Sequence, residues 1–202
     1  MFALTVDQID SRHDGDRVPD TIRRLAERHG PHLTGPPERT AGDEFQLATD
    51  DADTALAVAL DLVRDEHWSV GVGVGDVRPA RGDSVRALSG GAFVAARDAV
   101  TAAKRRSTRF ALVATDPEET ARLDPLVGLL LALRERRTPE GWELADLLDD
   151  SPDLTLTDAA ARLGISTQAA SQRAQTARLA LDTQARDALV ALLDAADARI
   201  GG

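Results

Sequence analysis

Residues 39–49, RTAGDEFQLAT, decide how the first half of the chain is interpreted. Gly42 and Asp43 are typical turn residues, and the residues on either side favour extended structure, so the segment predicts two strands joined by a tight turn. The turn also brings two carboxylates together, those of Asp43 and Glu44. We therefore expect a β-hairpin that carries acidic groups at its tip.

The segments around this hairpin predict an alternation of strands and helices. The predicted strands are residues 2–6, the two arms of the hairpin, 69–75 and 109–114, and the predicted helices are residues 18–33, 52–63 and 91–105. In SVGVGVG, residues 69–75, the glycines fall on one side of a strand, so another element is expected to approach that side closely. A loop through Pro79 and Gly82 follows. The first six elements have the split βαβ, or ferredoxin-like, order, which predicts an α+β domain: an antiparallel sheet with helices on one face.

The chain after Asp116-Pro117 reads as wholly helical, and we expect a domain boundary at this dipeptide. The α+β domain would then cover residues 1–116, and an all-α domain would cover residues 117–202. The predicted helices of the second domain are residues 117–136, 139–148, 156–163, 167–181 and 183–198.

The composition excludes several classes of protein. The chain has no cysteine, so neither a disulfide nor a thiolate metal site can form. A formal net charge of −10 argues against broad, non-specific nucleic-acid binding but leaves room for a small local patch. The first ten residues lack the pattern of a secretory signal, and the longest apolar stretch is far shorter than the roughly 20 residues that span a bilayer. We expect a cytoplasmic protein that does not bind membranes.

Carboxylates at two places in the predicted sheet indicate a metal site. Asp7 ends the first strand and Asp10 follows it, while Asp43 and Glu44 occupy the hairpin. Because strands one and three are neighbours in the split βαβ order, Asp7 and Asp43 are expected to face one another. Two close carboxylates repel unless a cation lies between them, and oxygen ligands suit Mg²⁺. These four residues are the predicted metal ligands. The alternative is that Asp10, Asp43 and Glu44 only shape turns and caps.

Several motifs resemble those of nucleotide cyclases. Residues 41–45, AGDEF, resemble the Gly-Gly-Asp-Glu-Phe signature of diguanylate cyclases. Asp7 then takes the place of the first-strand metal ligand of those enzymes and of class III nucleotide cyclases. SVGVGVGD, residues 69–76, and GAFVAAR, residues 91–97, are similar to two further class III segments. The resemblance implies a palm domain of nucleotide-cyclase type.

Over nearly the whole chain the sequence resembles the SatD family. VDQIDSR, residues 6–12, is similar to the first-strand segment of that family, and GDEFQ, residues 42–46, matches it unchanged. Members of this family also end in a helix-turn-helix. The resemblance implies a ferredoxin-like palm domain followed by an all-α helix-turn-helix domain.

The chain departs from the cyclase pattern at the nucleotide site. By the resemblance, Phe93 stands in place of the asparagine that orients the ribose, whereas Arg97 matches the arginine that faces the phosphates. Ala41 replaces the first glycine of the signature. Since Phe93 removes a hydrogen-bonding group, a nucleotide-binding pseudoenzyme, or an enzyme of altered specificity, is favoured over cyclase turnover. Arg12 and Arg97 are the candidates for holding phosphates; the alternative for both is surface pairing with carboxylates.

Residues 155–181 predict a helix-turn-helix. Thr155 or Thr157 can cap the first helix, Gly164 permits a tight turn, and Ser166 can cap the second helix, whose first residues would enter the major groove. Glutamine and arginine read base edges, and serine and threonine bind phosphates. The predicted DNA-binding residues are Ser166, Thr167, Gln168, Ser171, Gln172 and Arg173. The alternative is a helical hairpin used for packing or dimerisation.

Two signatures in one chain leave three hypotheses open. The first is a DNA-binding transcriptional regulator, expected to work as a homodimer, whose cyclase-like domain binds a nucleotide with a divalent metal such as Mg²⁺. The second is a metal-dependent nucleotidyl cyclase or transferase that acts on nucleoside triphosphates through Asp7 and Asp43. The third is a structural or partner-binding protein in which both motifs are vestigial. The regulator is the leading hypothesis.

Overall fold

The computed structural model describes residues 1–78 and 88–201, so the predicted loop through Pro79 and Gly82 lies outside the described residues. The strands are β1 (Phe2–Gln8), β2 (Glu38–Ala41), β3 (Glu44–Thr49), β4 (Trp68–Val74) and β5 (Phe110–Ala114). The helices are α1 (Val18–His29), α2 (Ala52–Arg64), α3 (Gly91–Ala103), α4 (Pro117–Glu135), α5 (Pro139–Asp149), α6 (Leu156–Arg162), α7 (Thr167–Thr176) and α8 (Leu179–Gly201), with a 3₁₀ turn at Gly30–His32. The predicted order of strands and helices is confirmed.

The five strands form one mixed sheet in the order β2-β3-β1-β4-β5. β1 pairs antiparallel with both β3 and β4, and β2 pairs antiparallel with β3. The predicted adjacency of the first and third strands is therefore confirmed. β5 runs parallel to β4, because α3 carries the chain back across the sheet between them, and parallel neighbours need such a crossover. The molecule is thus an α+β protein.

One face of the sheet is packed at unusually short range by α3. Gly71 and Gly73 of β4 lie directly under this helix, and a Cβ atom at Gly73 would overlap the carbonyl oxygen of Ala92 and the amide nitrogen of Ala96. Ala3 belongs to the same buried cluster as these alanines. The prediction that an element approaches the glycine side of this strand is confirmed. Absence of side chains here lets a helix backbone rest on a strand backbone.

The opposite face of the same strands carries the large apolar side chains. Leu4, Leu47 and Val72 alternate along β1, β3 and β4 with the residues that face α3, and all three are buried. α2 contacts these three strands. On this face Phe45 and Trp68 pack edge to face, with ring centroids 5.3 Å apart. The apolar core of the sheet lies on this side.

Two element boundaries differ from the sequence prediction in ways that affect the candidate sites. β1 continues to Gln8, so Asp7 lies inside the strand rather than at its end. The predicted helix over residues 167–181 was wrong at its C-terminal end, because α7 stops at Thr176. Arg178 has φ +56°, a left-handed conformation that ends the helix without glycine or proline.

The chain forms two compact units. The first contains residues 1–128 and 189–202, and the second contains residues 129–188. The predicted boundary after Asp116 falls where β5 ends, whereas the division between the units falls later, inside α4. The first half of α4 buries Leu123 and Val127, and the Asp124 carboxylate accepts a hydrogen bond from the backbone of β5.

The second unit holds α5, α6 and α7, which all contact one another. Gly141 of α5 allows a close approach, since a Cβ atom there would lie 3.0 Å from Cβ of Ala177 just after α7. Among the helices of the described residues, none combines the length and the apolar character that crossing a membrane requires.

Candidate functional site

The hairpin and the first strand place two carboxylates opposite each other on the α3 face of the sheet. Asp7 of β1 is the cross-strand partner of Glu44 in β3. The next amide along β1, that of Gln8, donates to the backbone carbonyl of Asp43 at 3.1 Å. The structure thus brings Asp7, Asp43 and Glu44 to one end of the central strand pair. Like charges directly opposite in a sheet destabilise it unless something balances them.

Lys104 supplies the balancing charge. It is the C-cap residue directly after α3, and its Nζ lies 2.7 Å from Oδ1 of Asp7. The Asp7 side chain is 17% exposed and that of Lys104 is 46% exposed, so the carboxylate sits inside the site and the lysine reaches it from the rim. Because the backbone of α3 packs directly on the backbone of β4, Lys104, which follows the helix, lies close to the end of β1.

Asp43 is held as an anion by its own set of partners. The Ser11 hydroxyl donates to Oδ2 of Asp43 at 2.5 Å. This hydrogen bond is the main cause that lowers the pKa of the Asp43 carboxyl below its ordinary value, and the charges of Lys104 and Arg39 act in the same direction. The lysine therefore acts on both carboxylates, through direct contact with Asp7 and through its charge on Asp43.

The remaining residues predicted for this site are partnered elsewhere or point outward. Asp10 has φ +52° in the turn after β1, and its carboxylate contacts Nδ1 of His13 at 2.7 Å. Oε1 of Glu44 accepts a hydrogen bond from the Thr40 hydroxyl at 2.6 Å. Arg12 lies exposed in the same turn as Asp10. The four predicted metal ligands are not gathered around one point.

These side chains do not make a ready site for Mg²⁺. Across residues 1–78 and 88–201, no group of three or more histidine, aspartate or glutamate side chains is placed to hold a metal ion. Mg²⁺ demands a near-octahedral set of oxygen atoms, whereas Asp7 is engaged by an ammonium group and Asp43 by a hydroxyl. The Mg²⁺ expectation stays a prediction, and the geometry gives it no support.

A cleft of about 480 Å³ opens beside this cluster, between α3 and the β2–β3 hairpin. Phe93 and Arg97, the two residues singled out by the cyclase resemblance, both line it. Phe93 is 6% exposed and forms an apolar wall, while Arg97 is exposed at the rim. Gln46 lies in the floor and donates from Nε2 to the Thr5 hydroxyl at 2.9 Å. Glu44 lines the same cleft, which therefore combines an apolar wall with one anionic and one cationic side chain.

The start of α3 is fixed by Asp76, directly after β4. Its Oδ1 accepts a hydrogen bond from the Gly91 amide at 2.8 Å, and this bond is the first cause of the lowered pKa of Asp76. A carboxylate at a helix N-terminus is favourable because it meets unpaired amides. With both ends of α3 tied to the sheet, Phe93 and Arg97 hold set positions along the cleft.

In the second unit, α6 and α7 form two short helices joined by a tight turn. Thr155 caps α6 by accepting from the Asp158 amide, and Ser166 caps α7 by accepting from the Ala169 amide. Of the two threonines considered for the first cap, Thr155 is the one used. Gly164 has φ +66°, a conformation that favours glycine. The turn, both caps and the helix order expected of residues 155–176 are present in the structure.

The predicted DNA-binding residues divide into two groups. Thr167, Gln168 and Gln172 are exposed along α7, and Ser171 between them is half-buried. Ser166 is exposed, but its hydroxyl is used in the helix cap. Arg173 turns toward α5, where its guanidinium meets the Glu143 carboxylate at 3.2 Å. The exposed polar face is therefore the N-terminal part of α7.

Sequence reasoning missed a buried ionic cluster in the same unit. Both guanidinium nitrogens Nε and Nη2 of Arg134 lie 2.7 Å from the Asp182 carboxylate. Arg137 also reaches Asp182, at 3.2 Å, and stacks over the Trp142 ring at 4.3 Å. The Arg137 side chain is only 2% exposed, and burial lowers its pKa. No local pattern distinguishes these arginines from the many charged residues of surface helices.

Lys104 and Ser11 were also missed. Lys104 had a usable signal, because it follows Arg97 by two helical turns and so shares its face of α3. Ser11 lies in the turn between Asp10 and Arg12, and only the folded turn shows that its hydroxyl reaches Asp43.

Comparison with known proteins finds no relative of this chain. No protein-family model, no curated protein and no solved structure matches the chain. The inferences about function therefore depend on the geometry of the two candidate sites.

Proposed function

We propose that this chain is a DNA-binding transcriptional regulator that contacts DNA through α7 and binds a nucleotide in the cleft beside α3. The observation that carries the proposal is the pair α6 and α7, each with its own side-chain cap, joined at a left-handed glycine, with an exposed polar face at the start of the second helix. A helix-turn-helix presents the start of such a second helix to the major groove, which supports the proposal.

The exposed side chains of α7 suit base recognition. Gln168 and Gln172 lie one helical turn apart, so they point to the same side, and a glutamine amide can form paired hydrogen bonds with adenine. Thr167 is exposed at the start of α7, and a threonine hydroxyl suits a phosphate contact. α5 supports α7 from behind through Gly141 and the Arg173–Glu143 pair. This support leaves the N-terminal half of α7 open.

The first unit supplies the features of a ligand-binding domain. Its first four strands and two helices have the ferredoxin-like order, which supports a palm domain of the cyclase type. Phe93 offers a wall for a planar base, and the Arg97 guanidinium suits a phosphate. The contact between Lys104 and Asp7 favours ligand binding over the cyclase alternative, because it engages the carboxylate that a metal-dependent enzyme would use.

A gel-shift assay after selection from genomic fragments tests DNA binding. The wild-type chain should select a defined sequence, and Gln168→Ala should weaken binding to it by about tenfold or more, since a paired glutamine–adenine contact is worth about 1–3 kcal/mol. Gln184→Ala, which changes an exposed glutamine of α8, is the matched control and should leave binding unchanged. Absence of any sequence-selective complex, with or without nucleotides, would reject the regulator.

Nucleotide binding is tested separately with fluorescent ATP and GTP analogues. Arg97→Ala should weaken binding by about tenfold, because a hydrogen bond to a charged group is worth about 1.5–3 kcal/mol. Arg105→Ala removes an exposed arginine just beyond the end of α3 and serves as the control. If both variants and the wild type bind nucleotide with equal affinity, the cleft is not the nucleotide site. The proposal of DNA binding would not be affected.

A further inference from the structure

The end of β1 gathers negative charge that the fold must balance. Asp7 and Glu44 are opposite one another in adjacent antiparallel strands, and the Asp43 carbonyl accepts from the residue after Asp7. The Asp7 side chain is mostly buried. Carboxylates this close repel one another unless a cation lies beside them.

The chain itself provides that cation. Nζ of Lys104 lies 2.7 Å from Oδ1 of Asp7. The lysine cannot move far along the sheet, because α3 rests on the glycines of β4 and its first turn is tied to Asp76. The backbone at Lys104 is therefore held within reach of the Asp7 carboxylate.

We propose that Lys104 is the resident counter-ion of the Asp7 carboxylate, so that the protein binds no divalent cation between Asp7 and the carboxylates beside it. An ammonium and a divalent ion compete for the same carboxylate oxygens, and a second positive charge beside Lys104 would be repelled. Removal of the lysine charge uncovers the carboxylates and creates a site for a divalent ion. If the cleft binds a nucleotide as proposed above, that binding then needs no metal. The role of Lys104 does not depend on the nucleotide proposal.

The test measures Mn²⁺ binding by electron paramagnetic resonance on the full chain, without DNA or nucleotide. Wild type should bind Mn²⁺ no better than the variant Asp7→Asn. Lys104→Gln should bind Mn²⁺ at least about tenfold more tightly than wild type, because Asp7 and Glu44 lie opposite one another and two carboxylates with water suffice for a weak divalent site. Lys104→Arg, which keeps the positive charge, should behave as wild type. The double variant Lys104→Gln with Asp7→Asn should lose the gained site.

Two results would overturn the proposal. One is Mn²⁺ binding by wild type that disappears in Asp7→Asn, since the lysine would then coexist with a metal. The other is a folded Lys104→Gln variant, with an unchanged circular dichroism spectrum, that gains no Mn²⁺ binding. If Lys104→Gln fails to fold, Lys104→Met with the same measurement decides between these outcomes, and the wild-type comparison with Asp7→Asn stands in either case. Neither result depends on whether the protein binds DNA.

Discussion

The two compact units use ion pairs of the same chemistry in opposite settings. In the first, Lys104 reaches Asp7 from the rim of an open site and remains 46% exposed. In the second, Asp182 lies between two arginines, with the three side chains exposed by no more than 12%. An exposed pair is screened by water and contributes little to folding, whereas an unpaired charge in a buried cluster is costly. The first pair belongs to a site, and the second holds helices together.

The units also differ in how their elements come close. α3 and β4 meet backbone to backbone over Gly71 and Gly73. In the helical unit, Gly141 of α5 lies close to Ala177 just after α7. Buried charge also joins its elements, because Arg134 of α4 pairs with Asp182 of α8. The sheet unit should therefore be sensitive to added volume, and the helical unit should be sensitive to lost charge.

The largest effect is expected from Gly73→Val in the sheet unit. The added side chain would collide with the backbone of α3 at Ala92 and Ala96, which cannot move aside as a side chain would. We expect a loss of more than about 4 kcal/mol in the free energy of unfolding, or no folded protein. Thermal unfolding followed by circular dichroism measures it. Gly128→Ala in α4, where a Cβ meets nothing, is the control and should be neutral or stabilising. A folded Gly73→Val protein of wild-type stability would contradict the close packing.

Asp182→Asn should have the next largest effect, in the helical unit. The substitution keeps the shape of the side chain but leaves Arg134 and Arg137 buried without their carboxylate. We expect a loss of about 3 kcal/mol in the free energy of unfolding. Urea denaturation followed by circular dichroism measures it, because Trp68 of the sheet unit would contribute to any tryptophan fluorescence.

Asp187→Asn is the matched control for this cluster. Asp187 lies on the same helix as Asp182 but is exposed, so its stability change should stay within about 0.5 kcal/mol. Equal effects of the two substitutions would show that the arginines find other partners and that burial does not distinguish this cluster from a surface pair.

The sequence predicted those parts of each unit that depend on neighbouring residues. The turn residues predicted the β2–β3 hairpin, and the glycines of residues 69–75 predicted that another element packs closely on β4. Thr155 and Ser166 predicted the caps of α6 and α7. Contacts between distant residues had no local signal. Lys104 meets Asp7 only because α3 crosses β1 and β4, and no glycine or proline marks the break at Arg178. Binding residues assigned by pattern alone, such as Asp10 and Arg173, proved to have other partners.

A smaller effect is expected from Ser166→Ala at the start of α7. The substitution removes the hydroxyl that accepts from the Ala169 amide, and loss of a helix cap costs about 1 kcal/mol. Thr155→Ala removes the equivalent cap of α6 and should cost a similar amount. Chemical denaturation compares the two. If α7 is the DNA-reading helix, Ser166→Ala should also weaken DNA binding, whereas Thr155→Ala should do so less. An equal loss of DNA binding in both variants would argue that α7 has no special role.

The smallest effect is expected from Ser11→Ala, which tests the electrostatics of the sheet unit alone. The Ser11 hydroxyl is the main cause of the lowered pKa of Asp43, so its removal should raise that pKa toward the ordinary aspartate value of about 3.9. A carboxyl whose pKa is lowered by folding contributes stability above its unfolded pKa, and this contribution disappears as the pH falls through the folded value. Wild type should therefore lose more stability than Ser11→Ala between about pH 4 and the lower pKa of Asp43. Carboxyl carbon chemical shifts followed by NMR give the pKa directly, with Ser107→Ala as an exposed control. If the pKa of Asp43 is unchanged in Ser11→Ala, the Ser11 hydroxyl does not lower it, and the charges of Lys104 and Arg39 are the remaining explanation.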